Sequence, residues 1–172
     1  MTSGADPLTL VLVGPMAAGK TSVGRRVARR LGVAFIDTDK RIVAAHGPIA
    51  GIFEAHGEAH FRALERAAVA EALAEGGVIS LGGGAVTEAA TRELLAEHPV
   101  VFLTVSPDAV ADRLRGSNRP LLAGEDPLER WKKIFEERRG WYAEVSSATF
   151  DTSRRPMQKI ADEIVAWRRE QR

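Results

Sequence analysis

Gly14-Pro15-Met16-Ala17-Ala18-Gly19-Lys20-Thr21 follows the apolar run Leu8–Val13 and runs directly into the helix-prone stretch Thr21–Leu31. The eight residues satisfy G-x-x-x-x-G-K-[ST]. A strand before the motif and a helix after it are the context that separates a phosphate-binding loop from a chance match. A tight turn opening a helix aims several backbone N–H groups, and the positive end of the helix dipole, at one point where a polyphosphate can sit. Lys20 then reaches the β- and γ-phosphates, and the Thr21 hydroxyl coordinates Mg²⁺. The plainer alternative, a glycine turn beside a surface lysine, accounts for neither flank. The motif implies a nucleoside triphosphate site.

The rest of the chain bounds what surrounds that site. Its 172 residues are 45% hydrophobic and 27% charged, as in an ordinary globular domain, and one domain spanning 1–172 is expected. A net charge of +1 gives no global electrostatic case for nucleic acid. The absence of cysteine rules out a disulfide framework and thiolate metal sites and suits a reducing, cytoplasmic location. No apolar run approaches the ~18–20 residues of a membrane span, and Met1–Pro7 lacks the apolar core of a signal peptide.

Apolar runs at Leu8–Val13, Ala34–Asp37, Val78–Leu81, Val100–Val105 and Ala148–Thr152 read as strands. Helices are expected over Thr21–Leu31, Asp39–Ala45, Ile49–Ala74 (broken near His56-Gly57), Glu88–Glu97, Pro107–Arg115, Leu128–Val145 and Pro156–Arg169. Such alternation predicts an α/β fold with a mostly parallel sheet covered on both faces. Ligands then bind beyond the carboxyl ends of the strands. Informative residues do fall there: Gly14–Thr21 after the first strand, Asp37-Thr38-Asp39 after the second, Gly82-Gly83-Gly84 after the third. Gly116–Pro127 reads as a mobile loop.

Asp37 and Asp39 are two apart at a strand end, so in an extended segment both project from one face, beside the phosphate loop if the second strand neighbours the first. One carboxylate there can hold Mg²⁺, directly or through water, and the other can align a substrate hydroxyl with the γ-phosphate. The competing reading is that Asp39 merely caps the helix starting at Lys40. Three consecutive glycines, Gly82–Gly84, call for close backbone approach or positive φ, which suggests a backbone-lined substrate wall. Glu65 follows Arg62 by three helical residues and can orient its guanidinium, although exposed pairs of this kind are common and weak. Arg25, Arg26, Arg29 and Arg30 read as a solvated helix face. Arg119 lies in the loop, where a closing arginine can neutralise charge on a transferring phosphoryl group. His56 and His60 are four apart but lack a third metal ligand. Trp131, Trp141 and Trp167 read as packing residues.

Several motifs in order now resemble the shikimate kinase family over essentially the whole chain. They are Gly14–Thr21, Phe35-Ile36-Asp37-Thr38-Asp39, Ile52-Phe53 with Gly57-Glu58, Phe61-Arg62 with Leu64-Glu65, Gly82-Gly83-Gly84-Ala85-Val86, Arg119-Pro120-Leu121-Leu122, and Arg138 four residues before Tyr142. The resemblance implies a P-loop kinase-like three-layer sandwich with a five-stranded parallel sheet, a substrate-binding segment at about 38–62 and a lid at about 112–127. It implies ATP-dependent phosphorylation of the 3-hydroxyl of shikimate to shikimate 3-phosphate, in the pathway to chorismate and aromatic amino acids, by a monomer using Mg²⁺. Ala17, Ala18, Gly19, Lys20, Thr21 and Ser22 then bind ATP, with Arg119 from the lid and Arg155 near the adenine. Thr21 and Asp37 serve Mg²⁺, Asp37 through water. Asp39, Arg62, Gly83 and Arg138 contact shikimate, the arginines at its carboxylate, for which a planar guanidinium is geometrically matched. Lys20, Asp39 and Arg119 carry the chemistry, with Asp39 either base or anchor.

Three departures from the family pattern bear on this. Ala17 replaces a usual glycine, at a cost of about 1 kcal/mol if its φ is positive. Gly140 replaces a usual proline, which leaves Arg138 and Arg139 as alternatives. A short segment between Arg113 and Arg119 leaves Arg113 and Arg115 as alternatives on the adenine side. Rival readings are a gluconate or nucleoside monophosphate kinase, a GTP-hydrolysing switch, for which the N-K-x-D signature is missing, and a catalytically silent homologue, against which Lys20, Thr21, Asp37 and Asp39 argue.

Overall fold

Five parallel strands lie in the order β2-β3-β1-β4-β5 in a computed structural model that describes residues 8–115 and 126–171. The strands are β1 (Thr9–Val13), β2 (Phe35–Asp37), β3 (Gly77–Ser80), β4 (Val100–Thr104) and β5 (Ala148–Asp151). The helices are α1 (Lys20–Leu31), α2 (Thr38–His46), α3 (Ile49–His56), α4 (Glu58–Glu75), α5 (Ala89–Leu95), α6 (Pro107–Arg115), α7 (Pro127–Val145) and α8 (Met157–Glu170). Residues Ala85–Thr87 add one 3-10 turn.

Every residue of β1 is buried, as a central parallel strand requires. Its side chains alternate between two cores. Leu10 and Leu12 pack with Val23 and Val27 of α1, Val110 of α6 and Ile160 and Ile164 of α8. Val11 and Val13 pack with Val69 and Ala72 of α4, Leu95 of α5 and Tyr142 of α7. Helices therefore cover both faces, giving the three layers expected. A separate small cluster of Ile42, Ile52, Phe61 and Ala68 ties α2, α3 and α4 together beside the sheet.

The expected break in the long helix occurs at Gly57, whose φ of 83° ends α3 and begins α4. The condition set for Asp37 and Asp39, that the second strand neighbour the first, is not met: β3 lies between β2 and β1. The strand of the phosphate loop is thus central, with β3 and β4 as neighbours. Arg119 and residues 116–125 of the expected lid lie outside the described residues. Among those described, no helix is long and apolar enough to cross a membrane.

Candidate active site

The segments that follow β1, β2 and β3 close around one cavity of about 930 Å³, with α7 and the start of α8 completing its wall. Pro15, Ala17, Gly19, Lys20, Thr21, Ser22, Asp37, Asp39, Gly82–Gly84 and Arg138 all line it. Its size is that of a small-molecule site. Gly19 starts α1 in the left-handed region (φ 89°), and the first turn of α1 carries neither a side-chain cap nor an acidic residue. A helix terminus of that kind is suited to an anion.

Lys20 Nζ donates to the carbonyls of Gly14 (2.7 Å) and Pro15 (2.8 Å), folded back across its own loop. Burial lowers its pKa to about 8, against the raising effect of Asp39 and Asp37. Ser22 turns its hydroxyl toward Arg26, which donates to it. Ala18, expected among the nucleotide contacts, is fully buried and does not line the cavity. Ala17 has φ 68°, the positive value that makes its alanine strained.

Asp37 and Asp39 do reach the same cavity, by a route different from the one expected. The chain passes from β2 into α2 without a loop, so Asp39 lies in the first turn of a helix and not in an extended segment. The capping residue is Asp37, whose Oδ1 accepts from Lys40 N at 3.1 Å. Asp39 is left uncommitted: its Oδ1 is buried without a hydrogen-bond partner. Burial raises its pKa and Asp37 adds to the rise, while Lys20 and Arg62 oppose it.

The glycine run owes its composition to close approach, since none of Gly82, Gly83 and Gly84 has positive φ. A Cβ on Gly82 would stand 2.5 Å from Asp39 Oδ1, and one on Gly84 would stand 2.6 Å from both terminal nitrogens of Arg62. At Gly83 the same atom would be 3.7 Å from Arg138 Nη1, Gly14 O and Met16 N. The run is a seam along which acid, guanidinium groups and phosphate loop meet.

Arg62 and Glu65 do not form the exposed pair that weak spacing arguments allow. Arg62 is 8% and Glu65 2% exposed. Arg62 Nη1 donates to Glu65 Oε1 at 2.9 Å, and Nη2 lies 3.4 Å from Glu58 Oε1. Burial raises the Glu65 pKa, and the bond from Arg62 opposes the rise. The Arg62 guanidinium sits against Gly84 but is not itself part of the cavity wall. Arg138, half-buried, does line the cavity, whereas Arg139 is exposed and pairs with Glu136. Tyr142 donates to Gly83 O at 2.5 Å, and its burial pushes its pKa up to about 12.

The family model described as shikimate kinase matches residues 16–169. The chain belongs to the shikimate kinase family. It is 52% identical over 159 residues to a shikimate kinase of Salinispora tropica, covering 91% of this chain and 95% of that protein. The solved shikimate kinase from Acinetobacter baumannii in complex with shikimate superposes with a TM-score of 0.88 at 35% identity, covering 96% of this chain and 95% of that one. A gluconokinase from Sinorhizobium meliloti gives 0.67 at 25% identity, covering 96% and 94%. Membership of this kinase family implies ATP as phosphoryl donor and a P-loop kinase-like fold.

Two residues linked to the nucleotide by the family resemblance are placed differently from one another. Arg155 stays away from the cavity wall and pairs with Glu163 of α8 at 2.6 Å. Of the two adenine-side alternatives, Arg113 lines the cavity and Arg115 pairs outward with Asp112. On the arginine face of α1, Arg25, Arg29 and Arg30 are exposed as expected, Arg25 with its guanidinium 5.9 Å from the Phe35 ring centre, while Arg26 is half-buried and donates to Ser22. Among the described residues no acidic or histidine cluster could hold a metal by itself, His56 and His60 being only a ring pair at 4.6 Å.

Sequence reasoning missed Trp131, Ile134 and Met157 as cavity residues. Trp131 does pack, stacking on Phe135 at 5.1 Å, but its indole N–H also donates to Met16 O at 2.8 Å. Only a pattern linking α7 to the phosphate loop could have announced it, and spacing along one chain contains none.

Proposed function

We propose that this enzyme transfers the γ-phosphoryl group of ATP to the 3-hydroxyl of shikimate, giving shikimate 3-phosphate and ADP. One observation supports the reading: a single glycine run meets Asp39 at Gly82, Arg138 and the phosphate loop at Gly83, and Arg62 at Gly84. Two guanidinium groups suit the carboxylate of a small acid, and the uncommitted Asp39 oxygen suits its hydroxyl. Glu65 supports the arrangement by holding Arg62 in one orientation.

In this reading the 3-hydroxyl oxygen forms a new bond to the γ-phosphorus as the bond to the ADP oxygen breaks. The hydroxyl proton leaves toward Asp39. The transition state of such transfers is loose, so positioning and charge neutralisation matter more than early deprotonation. Lys20 supplies positive charge at the phosphates once it leaves its own loop carbonyls. Burial favours the neutral carboxyl of Asp39, which makes it a receptive proton acceptor once ionised.

Mg²⁺ fits the cavity through the hydroxyl of Thr21 and the Asp37 carboxylate, which both line it. When bound it would neutralise charge on the phosphate oxygens. Asp37 spends one oxygen on Lys40 N, which suits contact through water better than direct ligation. A monomer is retained from the resemblance alone. A chain without cysteine that uses ATP suits the cytoplasm. Arg119 is retained as a phosphate contact from the resemblance alone.

The test is a coupled ADP-release assay over a panel of hydroxy acids that includes shikimate and gluconate. Shikimate should exceed gluconate in kcat/KM by on the order of 10²-fold or more, because a site built for particular hydroxyls strands buried polar groups when they are absent. Equal turnover of the two acids would overturn the assignment.

A further inference from the structure

Three successive carbonyls of the phosphate loop are each held by a side chain from a different element. Met16 O accepts from Trp131 Nε1 at 2.8 Å, Ala17 O from Arg113 Nη1 at 2.6 Å, and Ala18 O from the Thr152 hydroxyl at 2.7 Å. The donors belong to α7, to α6 and to the residue after β5. Two of them are also joined to each other, since Arg113 donates to both the carbonyl and the hydroxyl oxygen of Thr152. Trp131 and Thr152 are buried, where water competes little for such bonds.

Peptide planarity gives these bonds a consequence. In a trans peptide the C=O and the following N–H point in opposite directions, and the described chain has no cis peptide. Drawing the carbonyls of residues 16, 17 and 18 outward therefore turns the N–H groups of Ala17, Ala18 and Gly19 toward the hollow of the loop. Of these, the N–H of Ala18 is already taken by Pro15 O at 3.3 Å, which leaves those of Ala17 and Gly19 for a ligand. Ala17 is the one non-glycine with positive φ among the described residues. Such strain persists only where the surroundings over-determine it, and three converging donors do so.

We propose that Trp131, Arg113 and Thr152 are positioning residues that preset the phosphate loop for nucleotide oxygens before the nucleotide arrives. The proposal rests on reading that loop as the phosphate site. It gives the ends of α6 and α7 nearest the cavity a role in nucleotide affinity that does not require them to touch phosphate.

The experiment measures ADP binding by calorimetry, KM for shikimate at saturating ATP, and Tm, in the parent and in three variants. Trp131→Phe keeps the ring stack and deletes the donor; Thr152→Val keeps the shape and deletes the hydroxyl; Thr152→Ser restores it. Loss of one neutral hydrogen bond should weaken ADP binding by about 3- to 10-fold in the first two. Thr152→Ser should return to within about twofold of the parent, and KM for shikimate should stay within about twofold throughout. Unchanged ADP affinity in both deletions overturns the proposal. So do equal losses for ADP and shikimate with a lowered Tm, which would make these residues packing alone. A parent protein that binds no ADP overturns the phosphate-site reading and this proposal with it.

Discussion

Gly82 lies so close beneath Asp39 that a Cβ on the glycine would stand 2.5 Å from Oδ1 and 2.9 Å from Oδ2. The carboxylate and the strand-end backbone thus define each other's position. Gly82→Ala must push Asp39 away, because the glycine is followed by the 3-10 turn and has little room to retreat. A displacement near 1 Å at a reacting group costs about 10²-fold in rate. We expect kcat to fall by about that factor with KM for ATP changed little. Steady-state kinetics at varied ATP checks this, and a normal kcat would show that Asp39 does not need its present place.

Arg62→Ala removes one of the two guanidinium groups and also strands the buried Glu65. KM for the acid substrate should rise by about 10²-fold or more while KM for ATP moves little. Arg62→Lys should not restore it, since an ammonium lacks the planar fork. Stability supplies an independent check. Glu65 already has a raised pKa, so the native state holds a proton more firmly than the unfolded chain. Stability therefore falls as pH rises through the native pKa, and without Arg62 the fall becomes steeper. Chemical denaturation between pH 4 and 8 should show a larger loss for Arg62→Ala at the upper end.

Asp39 has a cost to stability that its chemistry explains. Its buried, unpartnered oxygen and raised pKa mean that folding ionised Asp39 is unfavourable. Asp39→Asn should raise Tm at pH 7–8 by about 2–4 °C, and the gain should shrink toward zero as pH falls to about 3, where the parent carboxyl is largely protonated in both states. The same variant should lose about 10²-fold or more in kcat if Asp39 accepts the proton. A loss below about tenfold would leave it an anchor for the hydroxyl.

How far the site could be read from sequence depends on the distance over which each relationship acts. The phosphate loop, its strand and its helix are contiguous, and periodicity with turn residues exposes them. The glycine run was legible as a demand for close approach, because three glycines have no packing value of their own. Its partners were not, since Asp39 and Arg62 come from α2 and α4. Strand order was equally hidden: alternation of strands and helices does not reveal that β3 inserts between β2 and β1. The zero-length passage from β2 to α2 moved the cap from Asp39 to Asp37, a shift that the spacing of two aspartates leaves open. Burial of Arg62 and Glu65 is likewise a product of how α4 meets the glycine run. The Trp131 bond crosses 115 residues and the Thr152 bond 134, beyond any local pattern.

Lys20 carries the last prediction, because its native pKa of about 8 falls inside an accessible range. Burial disfavours its charge, so above pH 8 the ligand-free enzyme holds a growing share of neutral lysine. A nucleotide's phosphates favour the charged form and should raise that pKa, so ADP binding must take up a proton between about pH 8 and 10. Calorimetry in two buffers of different ionisation enthalpy reads the uptake directly. It should be small at about pH 7.5, where the phosphates of ADP are already largely ionised, reach a sizeable fraction of one proton at about pH 9, and lose that rise in Lys20→Ala. That variant should also lose phosphoryl transfer while keeping its fold. A rise in proton uptake that survives in Lys20→Ala would assign the titration to another group and remove Lys20 from the phosphate contact.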